Sequence, residues 1–250
     1  MNDLINKIHN CDNIEILKQL PDKSVQVFLE DIPYGITACK WDKMPDLKEY
    51  WDLRLSKLKD NGCFVLFGCE PFSSYLRMSN IKMYKYDWIW NKKLAGNGIL
   101  AKQQPLKIHE LISIFYVRNN YNPIKTKGKQ RKKMFNGLKQ TDILKKLSES
   151  KIYINNDYYP KSIIDFSIAG NRSTRIHPTQ KSIDLFEYLI KTYSNEGDLI
   201  FDGYSGSGTT AIASYNTKRN FICCEIDTEY YNKSIERLND IQNDLFKGVI

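Results

Sequence analysis

The chain has 250 residues, of which 42% are hydrophobic and 26% charged, so one domain with at most an insert is expected and disorder is excluded. No apolar run approaches the roughly 20 residues that cross a bilayer, and the first residues lack signal-peptide character. We therefore expect a cytoplasmic protein without a membrane partner, and the net charge of +8 favours a polyanionic partner wherever the basic residues cluster.

The first half of the chain is predicted to contain four strands and a helix. Residues 25–30 form an apolar run that ends at Asp31-Ile32-Pro33-Tyr34-Gly35, which predicts a buried strand entering a rigid turn. Apolar residues at helical spacing predict a helix over 46–58. Further strands are predicted at 62–68, 86–90 and 111–117.

The composition changes after residue 118. Residues 125–133 hold six Lys or Arg and no acid, and the Asn-rich stretches 119–123 and 155–160 are predicted to be loops. We take 119–165 as an insert that divides one domain into 1–118 and 166–250. A charge run of this kind is ordinarily a solvated loop, whereas its alternative role is contact with phosphates. The basic residues of the run are Lys125, Lys127, Lys129, Arg131, Lys132 and Lys133.

The last third of the chain alternates again between strands and helices. A helix is predicted through residues 183–193, a strand at 198–202, a helix from 209, a strand at 220–225 and a helix over 229–245. This alternation predicts an α/β fold with a mostly parallel, Rossmann-like sheet and helices on both faces. The six cysteines form no C-x-x-C pair, so no metal site is expected.

A glycine-rich turn follows the predicted strand that ends at Asp202. Gly203-Tyr204-Ser205-Gly206-Ser207-Gly208 lets the backbone turn sharply and lets a ligand approach it closely. Glu225 ends the next strand, 17 residues beyond Gly208. An acid at that position of an α/β sheet can accept both ribose hydroxyls of a nucleoside. The alternative is an ordinary turn into a helix.

The turn at Asp31 carries a second set of functional groups. The Asp31 carboxylate and the Ile32 carbonyl can both accept hydrogen bonds from an exocyclic amine, and the Tyr34 ring can stack on a flat heterocycle. Pro33 restricts Ile32 to extended conformations. Taken alone, the same residues also fit a proline turn with a surface tyrosine.

Together these motifs resemble a known family. Asp31-x-Pro33-Tyr34 and 204–210 resemble motifs IV and I of the S-adenosylmethionine-dependent DNA amino-methyltransferases, and their order resembles that of the permuted β group. Residues 177–181, His-Pro-Thr-Gln-Lys, are similar to motif X, and residues 88–92 and 109–110 also match residues of this family. The resemblance implies a methyltransferase fold, S-adenosylmethionine as cofactor and double-stranded DNA with a flipped target base as substrate.

The resemblance also implies roles for individual residues. It makes 1–118 and 166–250 the catalytic domain and 119–165 a DNA-binding target-recognition insert. The catalytic residues would be Asp31, Ile32, Pro33 and Tyr34. The cofactor-binding residues would be Asp12, Asp31, Lys181, Asp202, Tyr204, Gly206, Ser207, Gly208, Thr209 and Glu225. Asp12 is equally suited to capping a helix, and Lys181 to lying in solvent at a helix start.

An Asp in the first position of motif IV goes mainly with adenine in this family, so the expected reaction is methylation of adenine N6. The alternatives are methylation of cytosine N4 and a catalytically weakened DNA-binding relative. The second is motivated by Ile32 and Gly203, which stand where the family has prolines. A homodimer and a cognate restriction endonuclease are candidate partners, and the recognition sequence is not readable from the insert.

Overall fold

A computed structural model describes residues 1–35, 43–118, 120–135, 151–168 and 180–247. The motif X residues 177–179 therefore lie outside the described residues. The helices are α1 (Asn13–Gln19), α2 (Leu47–Leu55), α3 (Phe72–Ser79), α4 (Ile183–Tyr193), α5 (Thr209–Asn216) and α6 (Thr228–Lys247). The strands are β1 (Lys7–His9), β2 (Val25–Glu30), β3 (Leu58–Gly68), β4 (Tyr84–Asn91), β5 (His109–Phe115), β6 (Thr126–Phe135), β7 (Lys151–Tyr158), β8 (Ile163–Asp165), β9 (Leu199–Asp202) and β10 (Asn220–Cys224).

Eight of these strands form one sheet in the order β1-β10-β9-β2-β3-β5-β4-β8. The neighbours are parallel except on both sides of β5, which runs antiparallel to β3 and β4. The prediction of a mostly parallel α/β sheet is thus confirmed. The chain leaves β9 toward β10 on one side and leaves β2 toward β3 on the other. The carboxyl ends of β9 and β2 therefore flank the point where the strand order reverses, which is where such sheets bind ligands.

The core lies on both faces of this sheet. All six residues of β2 are buried, and alternate side chains enter opposite clusters: Phe28 packs on one side, Val27 and Leu29 on the other. This placement explains why β2 is mostly apolar. Helices α1, α2 and α3 cover the Phe28 side, and α4 covers the other. Within the described residues, no helix is both long and apolar enough to span a membrane.

Residues 123–161 form a second compact unit, separate from the unit made by 1–122 and 162–250. In this two-stranded unit, β6 and β7 pair antiparallel, with a register irregularity between Lys127 and Arg131. The insert was expected to span 119–165, but β8 pairs with β4 and belongs to the main sheet. Residues 155–158 were expected to lie in a loop, and this was wrong because they belong to β7, which pairs with the strand β6 that carries most of the basic run.

Other element boundaries also differ from expectation. The helix predicted over 46–58 ends at Leu55, because Leu58 already pairs with Val25 in the parallel ladder of β2 and β3. The short strands β1 and β8 and the helix α3 were not predicted. Strands of three residues carry too little periodic signal to be recognised in a sequence.

Candidate functional site

Residues from distant parts of the sequence converge at one edge of the main sheet. Strands β1, β10, β9 and β2 are mutually parallel, so the segments that follow them all leave at their common carboxyl edge. These segments begin at Asn10, Glu225, Gly203 and Asp31. Because β5 is antiparallel, its first residues also lie at this edge. The topology therefore brings together the turn at Asp31, the glycine-rich turn and Glu225.

The Asp31 carboxylate is held on both oxygens. The Tyr34 hydroxyl donates to Oδ1 at 2.6 Å, and the Lys181 ammonium lies 2.8 Å from Oδ2. Burial raises the pKa of Tyr34 well above its ordinary value, and the charge of Asp31 adds to this, so the phenol keeps its proton and acts as the donor. The Tyr34 ring stacks on Phe72 with centroids 4.8 Å apart. Ile32 is buried in the core, where its side chain replaces the family's proline.

Lys181 joins Asp31 to a second carboxylate. Its ammonium lies 3.1 Å from Glu110 Oε2, and Glu110 Oε1 lies 2.9 Å from the Lys92 ammonium. Burial on its own would raise the pKa of Glu110, but the charges of Lys181 and Lys92 outweigh it and the pKa falls to about 2. Burial on its own would lower the pKa of Lys181, but Asp31 and Glu110 raise it above its ordinary value. Glu110 and Lys181 are therefore both charged at neutral pH.

The turn after β9 is anchored to the strand that carries Asp31. The Gly203 amide donates to Glu30 Oε1 at 3.0 Å, and Arg54 lies 3.0 Å from the same oxygen. Arg54 also donates to Asn13 Oδ1 at 3.0 Å, and the Tyr50 hydroxyl donates to Glu30. Gly203 lacks the fixed φ of a proline, but its amide, which a proline would lack, ties the turn to β2.

The Glu225 carboxylate braces the same turn from the other side. Its oxygens accept hydrogen bonds from the Gly206 and Asp227 amides, both at 2.8 Å. Burial raises the pKa of Glu225 above its ordinary value, against the effect of these two amides. A carboxylate has about four acceptor positions, so each oxygen can accept one further bond. Glu225 thus has capacity left for a pair of hydroxyl donors.

Arg237, on α6, holds the later part of the turn. It donates to the Ser207 carbonyl at 2.9 Å and to Thr209 Oγ1 at 3.1 Å. Burial lowers the pKa of Arg237 to about 10. Gly208, whose φ is +71°, packs so closely that an added Cβ would lie 3.0 Å from the Cβ of Ser234. Gly208 therefore fits the turn against α6.

Asp202 ends β9 beneath the turn and is buried. It accepts hydrogen bonds from the Tyr204 amide at 2.9 Å and from the Thr210 hydroxyl. Burial raises the pKa of Asp202 to about 8, although both of these donors favour the charged form. The carboxyl group is accordingly protonated over most of the range below neutral pH.

These segments enclose a cavity of about 470 Å³. This volume falls within the roughly 300–1,000 Å³ of typical small-molecule sites. The Ser205 hydroxyl, at the cavity wall, is buried and makes no hydrogen bond with any of the described residues. A buried hydroxyl of this kind calls for a partner from a ligand or a water molecule.

Most of the residues predicted to bind a cofactor line this cavity. They are Asp12, Asp31, Lys181, Asp202, Tyr204, Gly206, Ser207, Thr209 and Glu225, together with Pro33 of the catalytic motif. Gly208 packs against α6 instead, and Ile32 lies in the core. Asp12 also caps α1 by accepting from the Ile14 amide at 2.9 Å, so both of the roles considered for it are compatible with its position.

Several residues of the site were missed by sequence reasoning. Arg54, Tyr50 and Leu53 of α2 line the cavity, as does Cys11, while Glu30 lies behind it. Arg54 and Glu30 carried a weak signal, because a charged residue at a core position of a helix or strand usually has a buried partner. Their partnership was not readable from either segment alone.

The predicted DNA-binding residues lie on or just before β6 in the two-stranded unit. Lys127 pairs with Asp157 at 2.6 Å, the Lys125 ammonium lies 4.7 Å from the Tyr159 ring, and the Arg131 guanidinium lies 5.5 Å from the Tyr158 ring. Lys129 and Lys132 are exposed. For Lys133 only the backbone is described.

The fold and this site define a nucleoside-binding α/β protein of the methyltransferase type, and comparison with known proteins assigns its family. The profile of the DNA methylase family (N6_N4_Mtase) matches residues 25–236. The chain belongs to this family of DNA methyltransferases, whose methyl donor is S-adenosylmethionine. The resemblance noted in the sequence is thereby confirmed.

Individual relatives agree with this assignment. The Type II methyltransferase M1.MboII of Moraxella bovis is 28% identical over 95% of this chain and 98% of its own length. The M1.HpyAVI–SAM complex is 24% identical, covers 93% of this chain and 99% of its own, and superposes with a TM-score of 0.62. The cytosine-N4-specific PvuII DNA methyltransferase is 16% identical, covers 97% of this chain and 93% of its own, and has a TM-score of 0.61. The two structures establish the shared fold.

The residues around the cavity fit the family's cofactor. Glu225 retains acceptor capacity for a ribose diol, the Ser205 hydroxyl lacks a partner among the described residues, and the volume suits a nucleoside. Lys181 was expected to bind the cofactor, and it lines the cavity. Its contacts within the described chain are with Asp31 and Glu110.

Proposed function

We propose that this chain transfers a methyl group from S-adenosylmethionine to the exocyclic N6 of adenine at specific sites in double-stranded DNA. The observation that carries the proposal is the placement of Asp31 and the turn after β9 around one cavity, at the carboxyl ends of the adjacent strands β2 and β9. Asp31 stands in the position where the family has Asp mainly in adenine enzymes, which favours adenine over cytosine.

In this proposal the turn and Glu225 bind the cofactor. Glu225 accepts hydrogen bonds from the ribose hydroxyls while it braces the Gly206 amide. Ser205 offers its unpaired hydroxyl, and Asp12, Asp202, Tyr204, Ser207 and Thr209 shape the remaining wall. When bound, S-adenosylmethionine supplies an electrophilic sulfonium methyl group.

Asp31 and its neighbours act on the target base. The amine of adenine lies inside the duplex, so the nucleotide must leave the base stack, at a cost of a few kcal/mol. We propose that the face of Tyr34 opposite Phe72 receives the base, since stacking can return about 1–3 kcal/mol. The Asp31 carboxylate and the Ile32 carbonyl each accept one amine hydrogen. These bonds favour a more tetrahedral nitrogen whose lone pair is available for attack.

The two-stranded unit is proposed to be the target-recognition insert. Its exposed basic side chains suit contacts with phosphates, which orient a protein on DNA without reading the sequence. We also propose a homodimer and a cognate restriction endonuclease as partners, since relatives include Type II methyltransferases.

The test measures transfer of labelled methyl groups to unmethylated DNA by the purified protein, followed by nucleoside analysis. N6-methyladenine is expected, N4-methylcytosine would show the adenine assignment to be wrong, and binding of DNA without any transfer would favour the weakened relative. Asp31→Ala should abolish transfer while lowering cofactor affinity less than Glu225→Ala does.

Glu225→Ala should weaken the binding of the cofactor. Losing hydrogen bonds to a charged acceptor is worth about 1.5–3 kcal/mol, or roughly a tenfold to hundredfold loss of cofactor affinity by calorimetry. Glu229→Ala, an exposed acid at the start of α6, is the matched control and should bind the cofactor like the wild type. Unchanged affinity in a folded Glu225→Ala protein would remove Glu225 from the cofactor site.

A further inference from the structure

We propose that Glu110 and Lys92 are positioning residues that act on the Asp31 carboxylate through Lys181. This inference rests on the proposed function, in which Asp31 binds the target amine. Neither residue lines the cavity described above, so their effect on the reaction has to pass through Lys181.

The contacts form an unbroken chain of alternating charges. Asp31 and Glu110 share one ammonium group, that of Lys181, at 2.8 and 3.1 Å, and Glu110 is bound in turn by Lys92 at 2.9 Å. The exposed fractions of the Lys92, Glu110 and Lys181 side chains are only 14%, 17% and 10%. Water therefore screens these charges weakly, and each one influences its neighbours strongly.

The sheet holds the far end of this chain in place. Glu110 lies in β5 opposite Trp90 of β4, and Lys92 follows the end of β4. The Lys181 ammonium lies over the rings of Phe67 and Trp90, at 5.2 and 5.9 Å from their centroids. Paired strands and packed rings leave the ammonium little freedom to move. Its position beside Asp31 is therefore set by β3, β4 and β5.

The balance of charge determines how well Asp31 can accept a hydrogen bond from an amine. Lys181 alone would draw the Asp31 carboxylate fully into an ion pair. Glu110 competes with Asp31 for the Lys181 ammonium, and Lys92 neutralises the negative charge that Glu110 adds. The four groups sum to zero charge, and Tyr34 is a neutral donor to Asp31. Asp202 also interacts electrostatically with Asp31, and it is unchanged in every variant below.

Removing the charge of Glu110 and removing the charge of Lys92 should shift the pH dependence of the reaction in opposite directions. Glu110→Gln leaves excess positive charge that repels protons from Asp31, so the acid limb of the kcat/KM profile should move down by about one pH unit. Lys92→Met leaves excess negative charge, so the acid limb should move up by a similar amount. Both variants disturb the Lys181 ammonium that contacts Asp31. We therefore expect kcat at neutral pH to fall by about tenfold in each.

The double variant Glu110→Gln/Lys92→Met restores neutrality. Its acid limb should return close to that of the wild type, whereas a merely structural role predicts that two lesions do at least as much harm as one. The double variant also removes both unpaired charges, so it tests the inference even if a single variant folds poorly. Lys59→Met is the control, because it breaks the ion pair of Lys59 with Asp198 at the opposite edge of the sheet.

The experiment measures pH–rate profiles on unmethylated chromosomal DNA and cofactor affinity by calorimetry. Opposite shifts in the single variants, rescue in the double variant and unchanged cofactor affinity support the inference. Unshifted profiles overturn it. Loss of cofactor affinity in parallel with kcat also overturns it, since Lys181 would then serve the cofactor. A wild-type protein that methylates no DNA would contradict the proposed function itself, and the inference would fall with it.

Discussion

At the scale of single residues, Gly203 shows how a departure from the family pattern is compensated. A Cβ at this position would lie 2.8 Å from Glu30 Oε1 and 2.9 Å from Arg54 Nη2. Both atoms belong to buried, mutually bound groups that cannot move aside cheaply. The loss of the family's proline therefore accompanies a buried ion pair that needs both the space and the amide of a glycine.

Substitution of Gly203 should be costly in this chain. Gly203→Ala should lower the free energy of unfolding by about 1–3 kcal/mol through overpacking. Gly203→Pro should cost more, because Glu30 also loses its amide donor. Urea unfolding is the measurement, and Gly96→Ala is the control, since no described atom lies within 4 Å of a Cβ there. A Gly203→Pro protein as stable as the wild type would contradict this account.

Asp202 should make stability depend on pH. Its pKa is raised from 3.8 to about 8, so above pH 4 the unfolded chain releases a proton that the folded protein keeps. The difference in proton binding at Asp202 therefore destabilises the fold progressively as the pH rises from about 4 to 8. Asp202→Asn removes this contribution to the pH dependence of stability, while the other titrating groups are the same in both proteins.

We expect the stability of Asp202→Asn relative to wild type to improve by about 1–3 kcal/mol between pH 5 and pH 7, as measured by urea unfolding without cofactor. A difference that stays constant over this range would show that Asp202 is ionised in the folded protein.

At the scale of elements, the ion pair of Glu30 and Arg54 joins α2 to β2 and, through Gly203, to the turn after β9. Both side chains are almost fully buried, at 0% and 2% exposure. Burial of this kind is weak evidence for stability, since a well-packed apolar pair can serve as well. What the pair provides here is registration of three elements around the cavity.

Breaking this pair on one side should be strongly destabilising. Arg54→Met leaves Glu30 as an uncompensated buried charge and should cost about 3–5 kcal/mol in urea unfolding. Adding Glu30→Gln should recover part of that loss. Arg77→Met, which breaks more exposed ion pairs with Glu70 and Asp87, should cost about 1 kcal/mol or less. Equal losses in Arg54→Met and Arg77→Met would contradict the role of burial.

At the scale of the whole molecule, charge is distributed unevenly along the chain. The net charge is +8, and the run of 125–133 supplies six basic residues without an acid. Within the two-stranded unit Lys127, Lys129, Arg131 and Lys132 are all exposed, and Lys127 is paired with Asp157. Because Lys127 already has a carboxylate partner, the other three are the better probes of phosphate contact.

Replacing Lys129, Arg131 and Lys132 together by Ala should weaken DNA binding on all sequences. The slope of log K against log salt is about −0.9 per neutralised phosphate, so it should flatten by about two to three units. Affinity measured at several salt concentrations decides the matter. Replacing the exposed Lys18, Lys82 and Lys85 is the charge-matched control. An unchanged slope in the first variant would show that residues 125–133 are merely solvated and do not contact phosphates.

The sequence by itself determined the elements and motifs that local chemistry encodes. A short, mostly apolar run predicted the buried strand β2, and apolar residues at helical spacing predicted α4. Glycines between a strand and a helix marked the turn before α5. These signals are readable because each depends on neighbours within a few positions.

Only the tertiary structure decided which of these residues meet. Gly203 binds Glu30 from 173 positions away, and Lys181 binds Glu110 from 71 positions away. The order of strands in a sheet is not written in any one segment, so the partners of a buried charge cannot be read from its own neighbours. Residues 155–158 illustrate the same limit, because pairing with β6 makes them a strand where their composition indicated a loop. Cross-strand pairing is a long-range interaction, and it overrides local preference.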